Sequence, residues 1–253
     1  MKAWLLVSGA LFGGGLSAQA QQVALQAATA TYSQDGFPVS TAIDGSLSSG
    51  INGWAIDGLG APTAVFETAA NLTLPAGQGL RFTLHQLYTQ QGHTLGRFRL
   101  SVTTDDRALF ADGLANGGDV TANWTVLAPT SAVSSNGATL SVLGDNSVLA
   151  SGVSPPTDVY DITADTLLTN ITGFRLETLQ DASLPDNGPG RMTNGNFVLT
   201  EFQVFVTPVP EPTGIVFIVG AAALVYRRLR AATSPNAEPV ATADAAPRAG
   251  PHC

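Results

Sequence analysis

Two histidines, His85 and His93, stand alone in the body of the chain. They are eight residues apart, in a strand-like stretch and the turn after it, and no third ligand is spaced to complete a metal site with them. They therefore read as surface histidines. The acidic pair Asp105-Asp106 is adjacent in sequence, so in an extended chain its carboxylates point to opposite sides. That suits a turn or calcium better than paired acid–base work. No Gly-x-Ser-x-Gly elbow, His-Glu-x-x-His pair or phosphate-cradling glycine loop occurs. The residue types present do not assemble a catalytic constellation, and the expectation is a protein that is not an enzyme and carries no cofactor. Trp54, Tyr88, Trp124 and Tyr160 suit a different chemistry. An aromatic face offers apolar area to a sugar ring with little side-chain entropy to lose. Trp54, between Gly53 and Ala55 in a loop-like stretch, fits core and sugar-stacking roles equally, whereas Trp124 opens a strand and fits the core better.

The elements that must position these residues are strands. Val23 to Tyr32, Ala64 to Phe66, Leu80 to Leu84 and Arg97 to Val102 are β-branched, aromatic or alternating. So are Trp124 to Leu127, Ala138 to Leu143, Val159 to Ile162, Ile171 to Leu179 and Asn196 to Val206. Asp35-Gly36, Asp44-Gly45, Asn136-Gly137, Asp145-Asn146, Pro155-Pro156 and Asp186-Asn187-Gly188 mark turns between them. No helical period of any length appears between residues 21 and 207. The class is all-β, a sandwich or jelly roll.

Composition narrows the setting. The chain has 253 residues, one lysine (Lys2) and one cysteine (Cys253). Six arginines face sixteen acidic residues between Gln21 and Pro210, so no nucleic-acid partner is expected. Without a second cysteine no disulfide can staple the body, and stability has to come from packing.

Both ends read as addresses. Lys2, the apolar stretch Ala3 to Leu16 and the Ala18-Gln19-Ala20 site form a secretory signal, with cleavage expected before Gln21 by signal peptidase of the general secretion machinery. Near the other end, Pro210-Glu211-Pro212 precedes the uncharged run Gly214 to Tyr226 and then Arg227, Arg228 and Arg230. The prolines hold the backbone extended, the run suits hydrocarbon, and the arginines favour the cytoplasmic side. At thirteen residues the run spans roughly 20 Å as a helix, short of the ~30 Å core of a bilayer.

This ordered ending resembles the PEP-CTERM sorting signal of Gram-negative bacteria. The resemblance implies an exosortase-type membrane transpeptidase as partner, transient anchoring in the inner membrane through one short hydrophobic helix at 214–226, and delivery to the cell surface or an exopolysaccharide matrix. Members of that family usually stop soon after the arginines, whereas residues 231–253 continue here as an Ala/Pro/Thr-rich tail read as disordered.

A second resemblance lies in the body. ATATYSQ (28–34), AIDG (42–45), GWAI (53–56), AVFE (64–67) and GRFRLSVT (96–103) are similar to the discoidin, or galactose-binding-like, β-sandwich. They are closest to modules of large secreted bacterial proteins that also carry c-type haem domains. No Cys-x-x-Cys-His motif accompanies them here. The resemblance implies a non-catalytic module that binds carbohydrate, here an extracellular polysaccharide, through loops at one end of the sandwich. It gives Asp44 a role supporting those loops or a calcium ion, beside its plain reading as a turn residue. GPGRMTNGNFVLTEF (188–202) resembles the same modules but follows the first strands instead of preceding them. The 21–207 region is accordingly read as one sandwich with a long insertion, or as two modules, 21–105 and 120–207. The sorting region spans 208–230. The alternative to saccharide binding is a structural surface protein that self-associates.

Overall fold

The computed structural model describes residues 20–48, 52–57, 60–90 and 92–208. Ala18 of the signal site, Pro210, Glu211, Pro212, the 214–226 run, the three arginines and the tail lie outside them. Among the described residues no helix is long and apolar enough to cross a membrane.

The protein is a β-sandwich of two antiparallel sheets. Its strands are β1 (Gln21–Gln22), β2 (Leu25–Ala30), β3 (Trp54–Ala55), β4 (Thr63–Leu72), β5 (Gln78–Gln86), β6 (Arg97–Thr103), β7 (Thr125–Val126) and β8 (Pro129–Ser134). They continue with β9 (Ala138–Val142), β10 (Val148–Gly152), β11 (Asp158–Ala164), β12 (Ile171–Thr178), β13 (Val198–Leu199) and β14 (Glu201–Pro208). The front sheet runs β1-β14-β5-β11-β8. The back sheet runs β2-β4-β12-β6-β10-β9, with β7 also on β6. Strands from both halves of the sequence alternate within each sheet. β12 lies between β4 and β6, and β14 between β1 and β5, so neither half closes a sandwich on its own.

Period-two alternation decides which face each side chain takes. Leu80, Phe82, Leu84, Tyr160, Ile162, Phe202 and Val204 point from the front sheet toward Ala64, Phe66, Phe98, Leu100, Val102, Phe174 and Leu176 of the back sheet, and all are buried. Three ring pairs span the gap. Phe66 stacks on Phe202 at 4.2 Å between centroids, Phe82 meets Phe174 edge-on at 5.5 Å, and Phe98 stacks with Tyr160 at 6.1 Å. With no disulfide in this body, these contacts carry the inter-sheet attraction.

The outer face of the back sheet is covered as well. The segment 104–124 crosses it and places Phe110, itself fully buried, against β12. Gly173 makes this possible, because a Cβ there would lie 2.5 Å from the Phe110 ring. The same segment blocks the free edge of β2, where Ala30 N–H donates to the Leu114 carbonyl and Gly118 N–H to the Ala30 carbonyl.

The sandwich has two distinct ends. β5 starts opposite Pro208 and finishes opposite Glu201. Its nine residues separate those ends by roughly 27 Å. Gln21 pairs with Val206, so the first and last strands lie together at the Pro208 end. The described residues of the loops after β2 and β5 (31–48, 52–57, 60–62, 87–90 and 92–96) and the segment 179–200 lie at the other.

Candidate functional site

The aromatic residues singled out in the sequence occupy different places. Trp54 is fully buried, its ring edge-on to Phe197 at 5.2 Å and its indole N–H donating to the Tyr32 carbonyl at 3.0 Å. The β3–β13 pairing pulls this stretch inward. Gly53, at φ +127°, lets the backbone approach Leu199 so closely that a Cβ would lie 2.6 Å from its carbonyl oxygen. Trp54 is therefore a core residue, and its sugar-stacking role is corrected. Tyr160 is corrected likewise: it is buried between the sheets, and its hydroxyl donates to the Leu95 carbonyl at 3.1 Å. Trp124 lies on the covered outer face of the back sheet, edge-on to Phe110 at 5.2 Å and beneath the Arg175 guanidinium at 5.3 Å. It shares no site with Tyr88.

Tyr88 is at the loop end. It follows directly on β5, is half-buried, and packs edge-to-face against Phe37 at 5.8 Å and His93 at 5.1 Å. Beside this group opens a shallow cavity of about 400 Å³ lined by Thr89, Gln90, His93 and Met192. Toward the same end, three side-chain atoms are buried without a hydrogen-bond partner: Gln86 Nε2, Thr94 Oγ1 and Asn196 Oδ1. Of their residues only Asn196 bonds a residue of the lining, Met192. Gln86 Oε1 accepts from Leu95 N–H, Thr94 O from Arg191 N–H, and Asn196 O from Met192 N–H. Unpartnered polar atoms at that depth are uncommon in folded proteins and call for water or a ligand group. Sequence reasoning passed over Phe37 and Met192. Their only signal was being bulky in turn-rich stretches.

Asp44 is exposed at the same end. Its carboxylate accepts from Ser46 N–H at 2.8 Å and from Asn52 Nδ2 at 3.0 Å, which makes it a loop-fixing acid. The next residue, Gly45, donates its N–H to Glu201 Oε2 at 3.3 Å. Glu201, buried at 3% exposure, was missed in the sequence, where it looks like one charge in an otherwise alternating strand. Burial first, and the negative charge of Asp44 after it, push the Glu201 carboxyl up to about 7, with the Gly45 hydrogen bond opposing them. No group of three or more His, Cys, Asp or Glu gathers among the described residues. His85 and His93 are held apart. His85 Nε2 pairs with Gln203 Oε1 on the front sheet, whereas His93 Nδ1 meets the Gln90 carbonyl in its loop. Asp105 and Asp106 serve turns, accepting from Asn123 and Ala108 amides.

No protein-family model matches the chain, and no curated protein matches it. Solved structures are similar in their course. One is an F5/8 type C domain of Bacteroides fragilis, at 12% identity over 74% of this chain and 95% of that one, with a TM-score of 0.44. Another is the CBM32-3 module of a Clostridium perfringens family 31 glycoside hydrolase, at 13% identity, 72% and 90% coverage, and a TM-score of 0.43. A chain of the Streptococcus pneumoniae beta-galactosidase BgaA gives 12% identity, 74% and 98% coverage, and a TM-score of 0.46.

Proposed function

We propose that this chain is an exported, non-catalytic saccharide-binding protein of the cell surface or exopolysaccharide matrix. Its binding site is the loop-end cavity at Tyr88. The observation that carries the reading is an aromatic group (Phe37, Tyr88, His93) beside an open hollow to which Thr89 and Gln90 add polar side chains. A sugar ring presents this same combination of apolar face and hydroxyl edge. Aromatic contact supplies area, while the lining side chains of Gln90 and Thr89 meet hydroxyls. Nothing in this arrangement activates a nucleophile, so the expected outcome is retention of the sugar unchanged.

Asp44 and Glu201 would hold a calcium ion. The fit rests on placement: the Gly45 N–H bonds Glu201 Oε2 and so brings this carboxylate beside the exposed one of Asp44, the residue before it, giving two hard oxygen donors at one spot. Bound there, the ion would neutralise the pair and fix the Asp44 loop. Signal peptidase and an exosortase-type transpeptidase would process the two ends.

Binding of host exopolysaccharide and of galactose to the mature protein tests the reading. Tyr88→Ala is expected to weaken binding at least tenfold with its melting temperature kept. Equal binding by parent and variant would refute the site. A second reading, self-association, is favoured by the exposed Val133 and Val142 on the uncharged edge strands β8 and β9. Sedimentation across a concentration series decides it.

A further inference from the structure

The front sheet's outer face is a built surface of its own, independent of the loop end. Register sets its side chains in rows across the strands. Thr163, Arg81 and Phe205 form one row, Val133, Asp161, Thr83 and Gln203 the next, and Val159 and His85 a third. Four gaps of ~4.8 Å give the five-stranded face a width of roughly 19 Å. The Arg81 guanidinium lies over the Phe205 ring at 4.7 Å, and its Nε is 3.8 Å from Asp161 Oδ1, too long for a hydrogen bond. Arg81 Nε accordingly counts among the buried atoms that lack a partner. Thr83 Oγ1 donates to Asp161 Oδ1 at 2.7 Å and holds that carboxylate in place. Gln203 contributes its Oε1 to His85, leaving its amide N–H groups without an intramolecular acceptor among the described residues.

Charge selects the partner. One arginine and one aspartate balance on the open part of this face, Glu201 being covered by Gly45, and burial lowers the His85 imidazole below its ordinary pKa, against the opposing effects of its bond to Gln203 and of the Asp161 charge. The groups facing His85 from neighbouring strands are Gln203, Val159 and the protonatable Glu201, so no added cation gathers there. A neutral face on a strongly acidic domain repels polyanions and offers no basic field to attract them. Its one large exposed apolar side chain, Val133, stands on the edge strand β8, two strands away from β5 and the Arg81–Phe205 platform, and a lone valine at a margin is less than the apolar core on which stable dimers rest. What it does offer is a stacked guanidinium–phenyl platform flanked by amide, hydroxyl and carboxylate groups at strand spacing.

We infer that the outer face of the front sheet binds an extended, uncharged polysaccharide chain lying across the strands, with Arg81 and Phe205 as platform and Asp161 and Gln203 as hydroxyl partners. This surface takes a polymer, whereas the loop end takes a single sugar unit.

Native affinity electrophoresis of the mature protein in gels containing hydroxyethylcellulose, a neutral linear polymer, tests the inference, with alginate as the anionic contrast. Retardation by hydroxyethylcellulose and not alginate is expected. Arg81→Ala, Phe205→Ala and the milder Gln203→Ala are each expected to weaken it at least fivefold, with melting temperatures reported alongside. Tyr88→Ala and added galactose are expected to change it less than twofold, which separates this surface from the loop site. The inference is overturned by no retardation in hydroxyethylcellulose, by retardation unchanged in Gln203→Ala and Phe205→Ala, or by a preference for alginate. A dimer in sedimentation that Phe205→Ala dissolves would overturn it too.

Discussion

The two sheets of this sandwich present opposite solutions for their outer faces. On the back sheet, Thr29, Val65, Ser101 and Thr103 point away from the core yet are buried, because residues 104–124 lie over them with Phe110 and Trp124. On the front sheet, the equivalent positions Arg81 and Asp161 keep 36% and 39% of their side-chain surface in solvent. The back face therefore works as a second, thinner core, and its charged residues are consumed in that role. Arg175 bonds Ser101 and Glu177, and Arg107 pairs with Glu67. The front face leaves comparable groups free to meet something outside the chain. A sheet with one packed and one solvated face is ordinary for antiparallel strands. This domain shows both conditions, one per sheet, and the loop that distinguishes them is a single connection.

Removing the cover should produce the largest effect. Phe110→Ala empties a fully buried ring site and is expected to cost about 3–5 kcal/mol in chemical denaturation. A loss below about 1 kcal/mol would mean that the cover is ornamental.

Next comes the one spot where the front face is also covered, Glu201 beneath Gly45. Folding raises this carboxyl from an ordinary 4.5 to about 7, so the folded protein takes up a proton across that window. Its contribution is present at low pH and lost as pH rises from about 4.5 to about 7, on the order of 3 kcal/mol in calcium-free buffer. Thermal melts of Glu201→Gln against the parent isolate this component, and a flat difference between pH 5 and pH 8 would remove it. Calcium is expected to raise the parent's melting temperature at pH 8 and leave Glu201→Gln nearly unmoved.

Trp124→Ala should cost roughly 1–2 kcal/mol through lost contact with Phe110 and Arg175, while leaving saccharide retention intact. Loss of retention at constant stability would turn the comparison around. Smallest of all, Phe205→Ala on the open face should change stability by roughly 1 kcal/mol or less. Its consequence belongs to binding.

The sequence made the repetitive part of the molecule visible. Alternation in GRFRLSV is a local signal, and that stretch is a strand with the expected face inward, whereas NFVLTEFQVFV, read as one strand, divides at Thr200 into β13 and β14 of different sheets. β8 and β10 escaped notice because PTSAVS opens on proline at a sheet edge and VLASG ends in small residues, so neither alternates strongly. The site was harder to read. Whether Trp54 faces sugar or core depends on β13, more than 140 residues later, and on Gly53 allowing the backbone close to it. Glu201 acquires its character only from Gly45, across 156 positions. Tyr88 was legible as an aromatic in a turn. Phe37, which joins it, comes from a loop fifty residues earlier. Chemistry assembled from three loops leaves no periodic trace in any one of them.

Pairing of Gln21 with Val206, and of β14 with β5 along all eight of its residues, has a mechanical consequence. Tension between Pro208 and the loop end runs along the strand axis, so the rungs joining β14 to β5 are loaded in shear and must yield together. A peeling geometry would break them one at a time. The domain is thus built to stay folded while it is pulled from its own C-terminal strand.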